Sequence, residues 1–415
     1  MDGLAPFSLL AASALLALLA RRRAAPAPPS PSPSPRPPTF VTLSDYEAAA
    51  RAKLTAPSAH PGAWTYYSTG AGEQTTARRN EAALRQGLLL RPRMLVDVSA
   101  SSARHALLGA PTPLPFGAAP TAFHALAHPA AEAATAAGCA AARVPYCVSG
   151  SSSLPMEALA AAAPGGRRLF QLYLLKDRGA NAALLRRAEA AGMEAVVLTV
   201  DRPVLGLRDA NTRCGFTLPG RDPRNANACA YQDATLADAL SWEDVAWLRA
   251  ATALPVVVKG VLRGDDGAAA VRAGCAAVWV SNHGGRQLDA CATGADVLPS
   301  VVAAVRRAEA AAAAGGGGRR RVEGWVDGGE RRGTDVVKAL ALGADFVFIG
   351  RPAVWGLAVA GEEGVRRVLR TLREETVNAM QLLGCTGVGD IGPQHLLRLR
   401  PAPTPIAPPN GSAPG

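Results

Sequence analysis

Aromatic residues are scarce in this sequence, only 5% of 415 positions. A core of that composition must be filled by aliphatic side chains and alanine, and the alanine excess suits helices packed closely on strands. Cysteine motifs are also missing. The seven cysteines (Cys139, Cys147, Cys214, Cys229, Cys275, Cys291 and Cys385) show no C-x-x-C pair and no regular spacing. That excludes a disulfide framework, and an odd count without one points to a reducing compartment. Several lie in apolar runs and read as small core residues. The net charge is +11, yet there is no zinc-finger spacing, helix-turn-helix pattern or aromatic-interleaved basic stretch, so nucleic acid is not an expected partner. The scattered arginine clusters, such as 319–321, read as a solvated basic surface. A basic site would equally suit an anionic substrate and an anionic cofactor. No metal site is expected.

The ends differ from the body. Residues 4–20 form an apolar run whose only preceding charge is Asp2 and which is followed by Arg21, Arg22 and Arg23. It lacks the basic leader of a secretory signal and is marginal for a bilayer, which takes ~20 residues. An organelle-targeting segment or a signal anchor making membrane contact both fit. The arginines after it would leave the body cytosolic. A Pro/Ser-rich stretch to residue 38 reads as a stiff linker. The tail 401–415 is Pro-rich, reads as disordered, and ends Ala-Pro-Gly rather than in a peroxisomal signal. The expected division is therefore 1–38 segment and linker, 39–400 catalytic body, 401–415 tail.

Between the ends, β-branched runs alternate with Ala-rich helical stretches. The runs cover 115–121, 144–149, 169–174, 195–201, 255–261, 277–283, 322–329 and 345–352. Several are continuously apolar, as strands buried on both faces are. Helical segments such as 181–191 and 335–342 separate them. Eight such β/α units predict an α/β fold, a (β/α)8 TIM barrel, with residues 42–110 as a helical cover.

The active site of such a barrel lies at the carboxyl ends of its strands. There the sequence places Thr121 and Ala122, Ser149, Gln171 and Tyr173, Thr199 and Asp201, Lys259, Ser281 to Arg286, Asp327 to Arg331, and Gly350 and Arg351. Eight strand ends all carrying polar groups are hard to assign to core packing. In S-N-H-G-G-R-Q-L-D, 281–289, two glycines let backbone approach a ligand closely. There Arg286 can clamp a carboxylate bidentately and His283 can take a proton; a structural turn is the other reading. The turns D-G-G-E-R-R-G-T-D, 327–335, and I-G-R-P, 349–352, fit the phosphate site of TIM barrels, with charge from Arg331 and Arg351. Lys259, ending a buried strand, needs an anionic partner or a depressed pKa. It fits a Schiff-base lysine, or one facing the N1–C2=O edge of a reduced flavin. Asp201 reads as the orienter of His283, or as a helix cap before Pro203.

With these motifs assembled, the chain resembles the FMN-dependent 2-hydroxy acid oxidase/dehydrogenase family, nearest its glycolate and long-chain hydroxy acid oxidase branch, from about Thr42 to Leu397. The matching stretches are Y-Y-S-T-G-A (66–71), R-P-R (91–93), A-P-T-A (119–122), F-Q-L-Y (170–173), L-T-V-D (198–201), V-K-G-V (258–261) and the two glycine-rich segments. The resemblance implies oxidation of an (S)-2-hydroxy acid to a 2-oxo acid, with O2 as acceptor giving H2O2, by a homotetramer. It implies His283 as base, Asp201 stabilising its protonated form, and Tyr173 at the substrate hydroxyl. Tyr66, Arg208 and Arg286 would hold the substrate carboxylate. FMN would be held by Thr121, Ala122, Ser149, Gln171, Thr199, Lys259, Ser281, Asp327, Gly329, Arg331, Gly350 and Arg351.

The sequence departs from that pattern twice. Glycolate oxidases carry Trp where this chain has Ser151, so a wider pocket is expected, with Leu205 and Met156 placed to refill part of it. The segment between Leu218 and Ser241, a lid in the family, is shortened. No cytochrome b5-like segment precedes the barrel. A quinone or cytochrome acceptor at a membrane held by residues 4–20 is the alternative acceptor. A barrel binding a phosphorylated ligand without redox chemistry is the alternative class.

Overall fold

The computed structural model describes residues 40–218, 237, 239–315 and 321–398. The apolar run, the linker, the tail and the shortened segment at 219–236 lie outside the described residues.

Eight parallel strands close into a barrel: β1 Phe116–Ala118, β2 Tyr146–Val148, β3 Arg168–Leu172, β4 Val196–Thr199, β5 Val256–Val261, β6 Ala277–Val280, β7 Glu323–Asp327 and β8 Phe346–Ile349. Closure is made by β8 on β1, with Val347 opposite Phe116. All eight expected runs contain strands; seven stop short of the expected rim end, and β5 alone runs to Val261 as expected. The seventh stops at Asp327 because Gly328 and Gly329 turn into the left-handed region, at φ 111° and 108°, which ends an extended ladder. The helix expected over 181–191 is Arg178–Ala190: Asp177 caps it by accepting from the amides of Gly179 and Ala180, so it starts earlier. The one at 335–342 is Gly333–Ala341, because Asp335 occupies its third position and accepts from the amides of Arg331 and Arg332.

The barrel interior is packed solid. Cys147, Leu169, Val197, Val257, Trp279, Trp325 and Phe348 pack into one cluster, and the rings of Trp279 and Phe348 stack 4.0 Å apart. Each such large side chain contributes roughly 1.5–3 kcal/mol on burial. The aromatic members of this cluster, Trp279, Trp325, Phe346 and Phe348, all come from β6, β7 and β8.

The cover is not purely helical. Helices Leu43–Leu54, Ala63–Ser68 and Thr75–Arg85 are followed by a hairpin of His105–Leu107 and Ala110–Thr112. Its fully buried Leu107 joins the interior cluster, beside the strand-starting Leu169 and Ala195, and closes the amino end of the barrel. At the other end, Asn80 of the third helix and Asn282 exchange amide hydrogen bonds of 2.9 and 2.7 Å. Asp289 accepts from the amides of Thr75 and Thr76. These bonds tie the cover to the loop after β6.

Candidate active site

A cavity of about 670 Å³ opens at the carboxyl ends of the strands, within the usual range for small-molecule sites. Its lining includes Tyr66, Thr121, Ala122, Ser149, Gln171, Tyr173, Thr199, Arg208, Lys259, His283, Arg286, Asp327, Gly329, Arg331, Gly350 and Arg351. Of the expected site residues, Asp201 and Ser281 alone are absent from the wall. Each lies directly behind it, bonded to a residue of the cavity.

His283 is the centre of the polar network. Its Nδ1 meets Asp201 Oδ1 at 2.7 Å, and its Nε2 meets the Tyr173 hydroxyl at 3.3 Å. The bond to Asp201 fixes the tautomer, leaving Nε2 to accept a proton. Burial pulls the imidazole pKa below its ordinary value of 6.5, and Asp201 opposes that pull. Asp201 itself stays below its ordinary value: burial works against it, but His283 and then Lys259 outweigh the penalty. The pair is thus a neutral imidazole beside a carboxylate ready to stabilise its protonated form. His283 is held at φ 60°, an uncommon conformation for a non-glycine residue. Gly285, two positions on and at φ 73°, has room for nothing larger, since a Cβ there would lie 2.5 Å from the amide nitrogen of Ala77.

Lys259, Ser281 and Asp327, at the ends of β5, β6 and β7, form a closed triangle. The ammonium donates to Ser281 Oγ and Asp327 Oδ2, both at 2.7 Å, and the Ser281 hydroxyl donates to Asp327 Oδ1 at 2.6 Å. The amide of His283 donates to the same Ser281 oxygen. The anionic partner that a buried lysine requires is therefore Asp327.

Three arginines converge with little carboxylate to meet them. Arg286 lies 5.0 Å over the Tyr66 ring and donates to the carbonyls of Tyr66 and Thr69. Arg351 donates to the carbonyls of Tyr67, Gly284 and Thr69. Arg208 donates to the Arg286 carbonyl. Burial, then repulsion from Arg286, pulls Arg208 down to about 10; burial, then Arg331, does the same to Arg351. A pocket that depresses arginines is one that gains by binding anions. Arg331 lines the cavity with its guanidinium on Glu81 at 2.8 Å, and its buried Nε makes no hydrogen bond but lies 3.9 Å from a Glu47 carboxylate oxygen.

The residues present fit FMN. Gln171 accepts from the Gly150 amide and leaves its Nε2 buried and unpartnered, as is the Thr199 hydroxyl. Such orphans are costly unless a ligand answers them. At Gly350 a Cβ would meet nothing closer than 3.7 Å, leaving room beside Arg351 for a phosphate. Thr121, Ala122 and Ser149 line the same cavity.

Sequence reasoning overlooked several wall residues. Arg202 lies 4.9 Å over the Tyr173 ring, and Phe216 stacks on Tyr66 at 4.9 Å. Glu330, buried beside Asp327, is pushed up to about 8. Arg202 and Glu330 directly follow Asp201 and Gly329, so adjacency in the motifs was the available signal; Phe216 had none. Leu205 lines the cavity as expected, but Met156 is fully buried and is not part of the wall. Among the described residues no cluster could hold a metal ion.

Residues 56–398 match the family model for FMN-dependent dehydrogenase. The chain is 41% identical to an L-lactate oxidase from Nostoc sp., over 86% of this chain and 98% of that one. It is also 41% identical to glycolate oxidase 1 of Zea mays, over 85% and 94%. The crystal structure of mandelate oxidase with (S)-2-phenylpropionate superposes with a TM-score of 0.76 at 40% identity, covering 86% of this chain and 98% of that one. With the match spanning the barrel and every motif on its rim, the chain belongs to the FMN-dependent dehydrogenase family, and its cofactor is FMN.

Proposed function

We propose that the protein oxidises an (S)-2-hydroxy acid to the corresponding 2-oxo acid, with O2 as the acceptor and H2O2 as the second product. The observation that carries this reading is the placement of His283. One ring nitrogen is bound to Asp201 and the other, beside the Tyr173 hydroxyl, faces a cavity that also holds Arg208 and Arg286. A carboxylate held by the arginines leaves the neighbouring hydroxyl within range of His283 Nε2 and Tyr173. Bound FMN supplies the two-electron acceptor that hands its electrons on to O2. The C2–H and O–H bonds of the substrate break, the carbonyl forms, and two electrons and two protons end on O2. Within the protein, His283 takes the hydroxyl proton, Asp201 stabilises the imidazolium, and Tyr173 donates to the substrate oxygen. Thr121, Ala122, Ser149, Gln171, Thr199, Lys259, Ser281, Asp327, Gly329, Arg331, Gly350 and Arg351 would hold the cofactor, with Lys259 offering positive charge to the flavin ring and Arg351 to the phosphate. The relatives named for L-lactate, glycolate and mandelate oxidation support this substrate class.

The test is the visible spectrum of the purified protein. A flavin spectrum, bleached anaerobically by 2-hydroxy acids and restored by oxygen with one H2O2 per turnover, is the expected result. Bleaching that oxygen restores only slowly, but a quinone restores fast, would replace the acceptor. A flavin that no 2-hydroxy acid bleaches would overturn the reading.

A further inference from the structure

Arg202 follows Asp201 in the loop after β4, and its guanidinium carbon stands 4.9 Å over the ring of Tyr173. Tyr173 in turn lies nearly parallel to the imidazole of His283, at 12° and 6.5 Å between centroids. Arg202 is thus one aromatic ring away from the base. It lines the same cavity, and its charge bears on both Tyr173 and Arg208. A single 2-hydroxy carboxylate already has two arginines, Arg286 and Arg208. The same cavity wall carries Asn211, Thr212 and Ser151, the last on the loop after β2, together with the apolar Leu205, Leu207 and Phe216. Ser151, Tyr173 and Arg202 thus come from the loops after three neighbouring strands, β2, β3 and β4.

We propose that the substrate is a 2-hydroxy acid whose side chain ends in a second carboxylate, and that Arg202 receives that carboxylate. The inference rests on the 2-hydroxy acid oxidation argued above and names the substrate class of the same site. The redox step is unchanged: C2 is oxidised, O2 is reduced, and the distal carboxylate takes no part in bond making. A guanidinium carries five N–H donors in a planar fork, more than a single carboxylate engages. A distal carboxylate matches that fork. An apolar side chain pressed on the same wall would strip water from the guanidinium and return no hydrogen bond. Ser151 supplies the room for the longer chain, and Arg202 sets its polarity.

The experiment compares matched substrates on the FMN-loaded enzyme: (S)-2-hydroxyglutarate against (S)-2-hydroxypentanoate, and (S)-malate against (S)-2-hydroxybutanoate. The expected result is a kcat/KM at least tenfold higher for the diacid of each pair, carried by KM and shrinking with added salt. Arg202→Gln should abolish the preference, and Arg202→Lys should keep part of it. Dissociation constants of 2-oxoglutarate and 2-oxopentanoate, read from the shift they cause in the flavin absorbance, should show the same preference without turnover. If Arg202→Gln does not fold, the wild-type pairs and Arg202→Lys decide. The proposal is overturned if wild type favours the monoacids, or if Arg202→Gln weakens both members of each pair alike, which would mark Arg202 as a positioning residue for Tyr173. A flavin that no 2-hydroxy acid reduces would remove the underlying reaction too.

Discussion

Arg286 and Arg351 share one acceptor: the carbonyl oxygen of Thr69 receives Nη1 of the first at 2.9 Å and Nη2 of the second at 3.0 Å. Two half-buried cations, assigned to different anions, are spaced by a single peptide of the cover. Arg351→Ala should weaken FMN retention more than it slows the flavin-loaded enzyme, measured by flavin release and by turnover of the reconstituted variant. Arg286→Lys should mainly raise KM, since an ammonium cannot reproduce the fork. Losing a charged hydrogen bond of roughly 1.5–3 kcal/mol corresponds to about 10- to 100-fold. Swapped outcomes would exchange the two assignments.

Removing the base gives the second prediction. His283→Gln should retain FMN and slow anaerobic flavin reduction by at least ~10²–10⁴, the usual cost of losing a general base. Stopped-flow bleaching measures it directly. Near-normal reduction would take the role of base away from His283.

The pH dependence follows from the direction of the His283 shift. The base works when neutral, and burial holds its pKa below 6.5. The rate of flavin reduction should therefore be flat at neutral pH and fall only on acidification, through a midpoint below 6.5. Asp201→Asn removes the group that raises the His283 pKa, so the acid limb should move lower still. The plateau rate should drop as well, because the imidazolium loses its stabilising charge. An acid limb that moved upward in Asp201→Asn would contradict the assigned pairing.

Pocket size is tested at Ser151, which lines the cavity. Ser151→Trp should shift kcat/KM toward glycolate and away from longer 2-hydroxy acids, at ~1–3 kcal/mol per methylene of fit. Leu205 can yield, being 45% exposed, which reduces the size of the shift but not its direction. An unchanged substrate profile in the Trp variant would remove Ser151 from the determinants of size.

The barrel was legible because its signal is repetitive. Eight apolar runs between helical stretches leave few other ways to bury them, and every run proved to be a strand. The rim motifs were legible because strand ends on a barrel converge by topology. The hairpin around Leu107 was not: His105–Leu107 and Ala110–Thr112 are too short to show alternation. Arg202 and Phe216 escaped for a different reason. Their importance lies in the faces of Tyr173 and Tyr66 that they cover, and ring stacking between distant segments leaves no periodic mark. The commitment of Arg331 to Glu81 was equally hidden, since 250 positions separate the two.

The asparagine pair Asn80–Asn282 gives the cover a meaning that its position before the first strand conceals. A fragment starting at Phe116 would keep every strand of the barrel and its aromatic interior. It would lose Tyr66, the peptide oxygen that spaces Arg286 from Arg351, and the amide that answers Asn282 next to the base. The residues ahead of the barrel are part of the catalytic apparatus in the same sense as its loops. Shortening the chain from its amino end should extinguish the chemistry well before it dismantles the cylinder.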